Sequence, residues 1–286
     1  MLQHLFILSF LSVLCMSFHA KLSARAYHSI GLCVGIDPDM DKLPHHLPHS
    51  IESLQTFCEA IIQATHQYAT AFKLNTAFFE QYGAEGWFAM ESVVRSIPKE
   101  CIVIMDAKRG DIGNTSHAYA RAFFERMNAD ALTVAPYMGR DSVEPFLQYD
   151  DRFVFVLGLT SNSGARDFQY MQTKEHNEPL YLRVMESTLL WTEKNNCGFV
   201  VGATKPEELA FLRTRFPHSC FLIPGVGTQG GDMATTIRAN GIAPALINVS
   251  RAILYASSDA DYTEQAHTVA QRYLRELHIS VDAIIP

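Results

Sequence analysis

The chain has 286 residues, 48% hydrophobic and 19% charged, with 23 Lys and Arg against 30 Asp and Glu for a net charge of −7. That length allows one large domain or two ordinary ones, and an α/β barrel needs about 250 residues as a single unit. The apolar content excludes a disordered chain, and the acidic balance excludes the basic face of a broad nucleic-acid binder while leaving room for a small anion held locally.

The first twenty residues begin with an apolar run from Leu5 to Met16, too short to span a bilayer. It also fits a secretory signal poorly. Only His4 precedes it where basic residues belong, and Phe18 takes the −3 position of a cleavage after Ala20. From Met16 the sequence reads as an opening helix running into a first strand. Residues 1–15 are therefore expected to be a dispensable extension, and 16–286 a single domain. No membrane association is expected. The six cysteines form no CxxC pair and no zinc spacing, and Cys33, Cys101, Cys197 and Cys220 sit in or at the start of apolar runs. They read as buried reduced thiols, which suits the cytosol. Two sequons, at Asn114 and Asn248, fall in segments assigned below to the active site, which also favours a cytoplasmic protein over an exported one.

Eight short apolar runs follow in order: 31–37, 71–75, 101–108, 131–136, 153–160, 198–204, 220–226 and 245–251. They are continuous rather than alternating, as strands buried on both faces are. Helical patterns separate them at 50–66, 84–96, 115–127, 142–148, 180–195, 206–216 and 233–239, and a last one at 263–277 follows the eighth run. Pro206 with Glu207 and Glu208 makes a good helix start. Eight strand–helix units give a (β/α)8 TIM barrel, an α/β fold; a doubly wound open sheet is the alternative. Trp87, Phe88 and Met90 read as core. His45, His46 and His49 sit among prolines in a loop and are not expected to hold a metal.

Active sites in such barrels sit at the C-terminal strand ends. Here those ends are polar: Asp37, Lys73 with Asn75, Asp106 with Lys108, Thr160-Ser161, Pro224 running into a glycine-rich loop, and Ser250-Arg251. The sharpest segment is Asp106-Ala107-Lys108-Arg109-Gly110-Asp111-Ile112. Residues two apart on a strand share a face, so Asp106 and Lys108 both point into the barrel mouth. Asp111 follows once Gly110 has turned the chain. An ion pair built for stability would gain little so near water. Gly225, Gly227, Gly230 and Gly231 let backbone N–H groups approach an anion, and Arg251 can grip it with two hydrogen bonds.

DAKRGDI at 106–112 resembles the signature of the orotidine 5′-phosphate decarboxylase family. GIDPD at 35–39, FKLN at 72–75, PGVGTQGG at 224–231 and Ser250-Arg251 resemble its other motifs in order, so the likeness runs from Gly31 to Ser257. The wording and longer connections are similar to the second, longer bacterial subfamily, except that Ser163 stands where that subfamily often has Pro. The resemblance implies conversion of orotidine 5′-monophosphate to UMP and CO2 without a cofactor or metal. It implies an alternating array of Lys73, Asp106, Lys108 and Asp111, in which Lys108 stabilises and protonates C6 and Asp106 lies beside the departing carboxylate. It implies Asp37 and Asn75 at the ribose, Thr160 and Ser161 at the pyrimidine edge, and Pro224, Gln229, Ser250 and Arg251 about the phosphate, with Ile112 also in the substrate set. It further implies a homodimer in which Asp111 and Thr115 enter the other subunit's site. Two other readings stay open: a Mg-dependent sugar-phosphate lyase of the hexulose-phosphate-synthase kind, and a non-catalytic phosphate-ligand binder.

Overall fold

The computed structural model describes residues 16–174, 177–227 and 230–285. Eight parallel strands close on one another in chain order: β1 (Ile30–Ile36), β2 (Ala71–Asn75), β3 (Ile102–Arg109), β4 (Ala131–Val134), β5 (Phe153–Leu159), β6 (Cys197–Val201), β7 (Phe221–Pro224) and β8 (Ala245–Val249). Each falls on the apolar run expected for it. The runs lack visible alternation because both faces are buried, yet the period of two is present in the packing. On β3, Ile102 and Ile104 fill the barrel interior, whereas Val103 and Met105 pack in the outer core with the helices. The interior layer also takes Cys33, Ala71, Phe155 and Leu246. The barrel interior is therefore a packed core rather than a pore.

The longer helices are α1 (Phe18–Arg25), α2 (Ile51–Thr65), α3 (Gly83–Ser96), α4 (Gly113–Ala120), α5 (Arg140–Leu147), α6 (Leu180–Leu189), α7 (Pro206–Arg215), α8 (Met233–Asn240) and α9 (Tyr262–Asp282). Their starts follow capping chemistry. The Ser50 hydroxyl accepts from the Ser53 amide at 3.2 Å, and Asp232 from the Thr235 amide at 2.8 Å. The single helix expected over 115–127 is instead α4 followed by a π-helical turn, Arg121–Arg126, that buries both Phe123 and Phe124. Phe88 is a second departure. The buried stripe of α3 runs through Gly86, Ala89, Met90, Val93 and Val94, and Phe88 lies off it, 71% exposed. Hydrophobicity suggested core; helical phase put this ring outside.

Helix α1 closes the end of the barrel where the strands begin. The Phe18 ring stacks on Phe153 at 4.1 Å between centroids. Lys21 Nζ lies 2.7 Å from Asp130 Oδ2 and 3.1 Å from the Cys101 carbonyl oxygen. Burial pushes the Asp130 carboxyl up, against the pull of Lys21. Among the described residues, Cys33, Cys58, Cys101, Cys197 and Cys220 are buried and unpaired. No helix of the described residues is long and apolar enough to cross a membrane.

Candidate active site

Strand register gathers the charges on one rim. Lys73 is level with Gly35 of β1, and Asn75 with Asp106 of β3. Asp37 follows directly on β1. Lys73 Nζ lies 3.4 Å from Asp37 Oδ1 and 3.1 Å from Asp106 Oδ2. Lys108 Nζ lies 2.6 Å from Asp106 Oδ1. The array within one chain thus runs Asp37–Lys73–Asp106–Lys108, and Asp111, expected from the other subunit, is not part of it. Burial works against the charge on Lys73, but Asp37 and Asp106 outweigh it and hold the ammonium above its ordinary range. Burial likewise works against the Asp106 carboxylate, and Lys73 with Lys108 overcome it, holding that carboxyl well below the usual range. Lys73 is enclosed, whereas the Lys108 side chain is 48% exposed and stands free to meet a ligand.

Simple alternation along β3 does not account for the Asp106–Lys108 contact. Register with β4 shifts between Met105 and Arg109, and Lys108 adopts a left-handed backbone with φ 48°. Thr133 on β4 fixes this bulge. Its hydroxyl accepts from the Lys108 amide at 2.9 Å and donates to Asp106 Oδ1 at 2.9 Å. Sequence reasoning missed Thr133, although a buried hydroxyl in the otherwise apolar ALTVAP run needs a partner and was a usable signal.

On the other flank, Ser250 Oγ donates to Asp37 Oδ2 at 2.7 Å. The Tyr255 hydroxyl donates to the Asp37 carbonyl at 3.0 Å and accepts from the Asp39 amide at 2.8 Å, a second role that the sequence did not disclose. Gly35 makes the approach possible, since a Cβ there would stand 2.6 Å from Ser250 Cβ. Between these groups lies a cavity of ≈ 180 Å³, lined by Asp37, Lys73, Asn75, Asp106, Pro224 and Arg251 among others. Asn248 of β8, noted in the sequence only as a sequon, also lines it. Gly225 and Gly227 carry φ of 106° and 86° and bring the loop after β7 back on itself, with the Gly231 amide 3.0 Å from the Gly225 carbonyl. Arg251 has no carboxylate partner among the described residues, leaving it available for an anion.

The remaining expected residues that the structure describes stand apart from the cavity. Thr160 Oγ1 donates to Asn162 Oδ1 at 2.6 Å and accepts from Gln169 Nε2 at 2.8 Å, so the loop satisfies its own hydroxyl. Ser161 packs over Gly202. Asp111 accepts from the next amide, Ile112 N, at 2.7 Å and has no ion pair among the described residues. Ile112 is 58% exposed, and Thr115 is exposed beside it. Gln229 lies outside the described residues. Among the described residues, no three His, Cys, Asp or Glu side chains are grouped to hold a metal.

The chain matches the family model of the orotidine 5′-phosphate decarboxylase / HUMPS family over residues 31–266. A relative from Herpetosiphon aurantiacus, described as orotidine 5′-phosphate decarboxylase, is 46% identical over 244 residues, covering 85% of this chain and 91% of that one. A protein of the same description from Roseiflexus castenholzii is 44% identical over 274 residues, 94% of this chain and 100% of its own. The solved structure of Leishmania donovani OMP decarboxylase superposes with a TM-score of 0.78 at 38% identity, spanning 92% of this chain and 99% of that one.

Proposed function

The chain belongs to the orotidine 5′-phosphate decarboxylase / HUMPS family, and from that premise we propose that the charged array at its barrel mouth carries out the decarboxylation of orotidine 5′-monophosphate to UMP and CO2. The observation that carries this reading is the Lys73–Asp106–Lys108 triplet, held within 3.1 and 2.6 Å contacts beside a cavity that ends in Arg251.

The bond between C6 and the carboxylate breaks heterolytically. CO2 leaves, and the electron pair stays on C6 in the plane of the ring, where no carbonyl is placed to delocalise it. Lys108 Nζ stabilises that pair and gives it a proton, then regains one from solvent. Since Lys73 and Asp106 are charged before substrate arrives, little reorganisation is needed as charge moves to C6. Asp106 faces the departing carboxylate and fixes Lys108. Asp37 and Asn75 hold the ribose, and Thr160 and Ser161 meet the pyrimidine once substrate draws their loop in. Pro224, Gln229, Ser250 and Arg251 take the phosphate, whose binding energy can be spent at the distant carbon.

The assay is the loss of orotate absorbance when purified protein meets orotidine 5′-monophosphate, run before and after exhaustive chelation. Undiminished turnover is expected. Activity that disappears and returns with Mg²⁺ would move the chain to the sugar-phosphate lyase reading. Replacing Arg251 by alanine is expected to weaken UMP binding by about 2–4 kcal/mol, the scale of a lost charge-assisted contact. Titration calorimetry checks it, and unchanged affinity would remove Arg251 from the phosphate site.

The same reading makes the enzyme a homodimer in which Asp111 and Thr115 reach the other subunit's site. Support comes from Asp111, free of an ion pair among the described residues, and from exposed apolar side chains on the loops after β3 and β4, Ile112 with Tyr137 and Met138. Residues 16–286 are read as one domain and 1–15 as an extension to it, because α1 already seals the barrel base. A cytoplasmic location fits the five buried, unpaired thiols.

A further inference from the structure

We propose that Arg109 is a positioning residue, whose guanidinium holds the bulged end of β3 in the one backbone conformation that presents Lys108 to Asp106. The inference rests on the decarboxylase reading. A lysine in the left-handed region does not stay there by its own preference, so its neighbours must hold it. On the N-terminal side, Lys73 and Thr133 fix Asp106. On the C-terminal side the anchor is Arg109.

Its main chain is tied to β4, the carbonyl accepting from the Ala135 amide at 2.8 Å. Its side chain folds back across the bulge. Nη1 donates to the Ala107 carbonyl at 3.2 Å, the peptide oxygen just before Lys108. Nη2 donates to Glu80, at the end of the helical turn Ala77–Glu80 that follows β2. The guanidinium lies 5.3 Å from the Tyr119 ring centre and 5.5 Å from that of Phe123, on α4 and its π-turn. One side chain thereby joins the ends of β2 and β3 to the helix that carries Thr115. Among the described residues its buried Nε finds no acceptor. The clasp keeps its orientation at the cost of an unmet donor, which an anchor selected for stability alone would avoid. Only a planar fork makes these two bonds in different directions at once, so lysine is a poor substitute.

The test compares Arg109→Met, Arg109→Lys and Glu80→Gln with the wild type, using orotidine 5′-monophosphate as substrate and UMP as binding probe. Arg109→Met and Glu80→Gln should each lower kcat about 10- to 100-fold, the cost of a reacting group displaced by about an ångström. KM and UMP affinity should stay within about twofold, since neither residue touches ligand. The double variant should lose no more than the worse single one, because both act through one contact. Arg109→Lys should recover only part of the loss. A folded variant with wild-type kcat, whatever its melting temperature, overturns the proposal, as does UMP affinity that falls in step with kcat. Should Arg109→Met not fold, Glu80→Gln decides by the same criteria. A wild type without turnover overturns the functional reading and this proposal with it; turnover that both variants keep overturns the positioning role alone.

Discussion

Alanine in place of Lys108 is expected to lower turnover of orotidine 5′-monophosphate by about 10³-fold or more while UMP binding changes little. The product has a hydrogen at C6 and no charge there for Lys108 to meet. The ammonium therefore acts on charge that exists only as CO2 departs. Three decades correspond to about 4 kcal/mol, a reasonable share for one preorganised cation that is also the proton donor. The variant should keep its fold. Asp106 retains Lys73 at 3.1 Å and the Thr133 hydroxyl at 2.9 Å, so no buried charge is orphaned. Steady-state kinetics beside calorimetric titration of UMP separates the two effects. If affinity for UMP falls as far as kcat does, Lys108 is a binding group and its assigned chemistry is wrong.

Mixed dimers should restore part of the activity that two inactive parents lack. Lys108→Ala and Asp111→Ala are each expected to be nearly inactive. If Asp111 serves the neighbouring site, a dimer of one chain of each kind has one whole site and one site lacking both groups. Random reassortment places about half of all dimers in the mixed form, so roughly a quarter of all sites should recover. Subunits must be unfolded and refolded together, or co-expressed, because tight dimers exchange slowly. Mixed dimers as inactive as their parents would put Asp111 to use in its own chain. The geometry within one chain fits sharing, since Asp111 lies past Gly110 and, among the described residues, its carboxylate accepts from the Ile112 amide and makes no ion pair.

Most of the barrel was legible because parallel strands buried on both faces read as unbroken apolar runs, and each run here is flanked by turn and helix signals. The charged rim of the candidate site was legible because several charges gathered at strand ends, against an apolar core, are costly to hold there unless a ligand or a reaction uses them. What escaped had a local cause in each case. Thr133 is one hydroxyl in an apolar strand, and its worth lies in contacts across the sheet that no spacing within β4 reveals. Tyr255 serves Asp37 from more than 200 residues away. The π-turn after α4 lets two adjacent phenylalanines, Phe123 and Phe124, both reach the core, which an unbroken α-helical phase does not predict. Asp106 and Lys108 were rightly placed together, but for too simple a reason, since alternation says nothing of a bulge. Asp37 entered the array because the β1–β2 register sets Lys73 level with Gly35, two residues before it, and no spacing within either strand reveals that register.

The left-handed backbone at Lys108 also bears on what the protein can tolerate there. A side chain of the L series is disfavoured in that conformation by about 1–2 kcal/mol, and glycine is the residue that escapes the penalty. The backbone at position 108 therefore favours a residue with no ammonium at all, while the proposed reaction calls for one at that point. Thermodynamic robustness and catalytic competence select opposite residues at the same place, and drift toward a sturdier fold would there lead away from an enzyme.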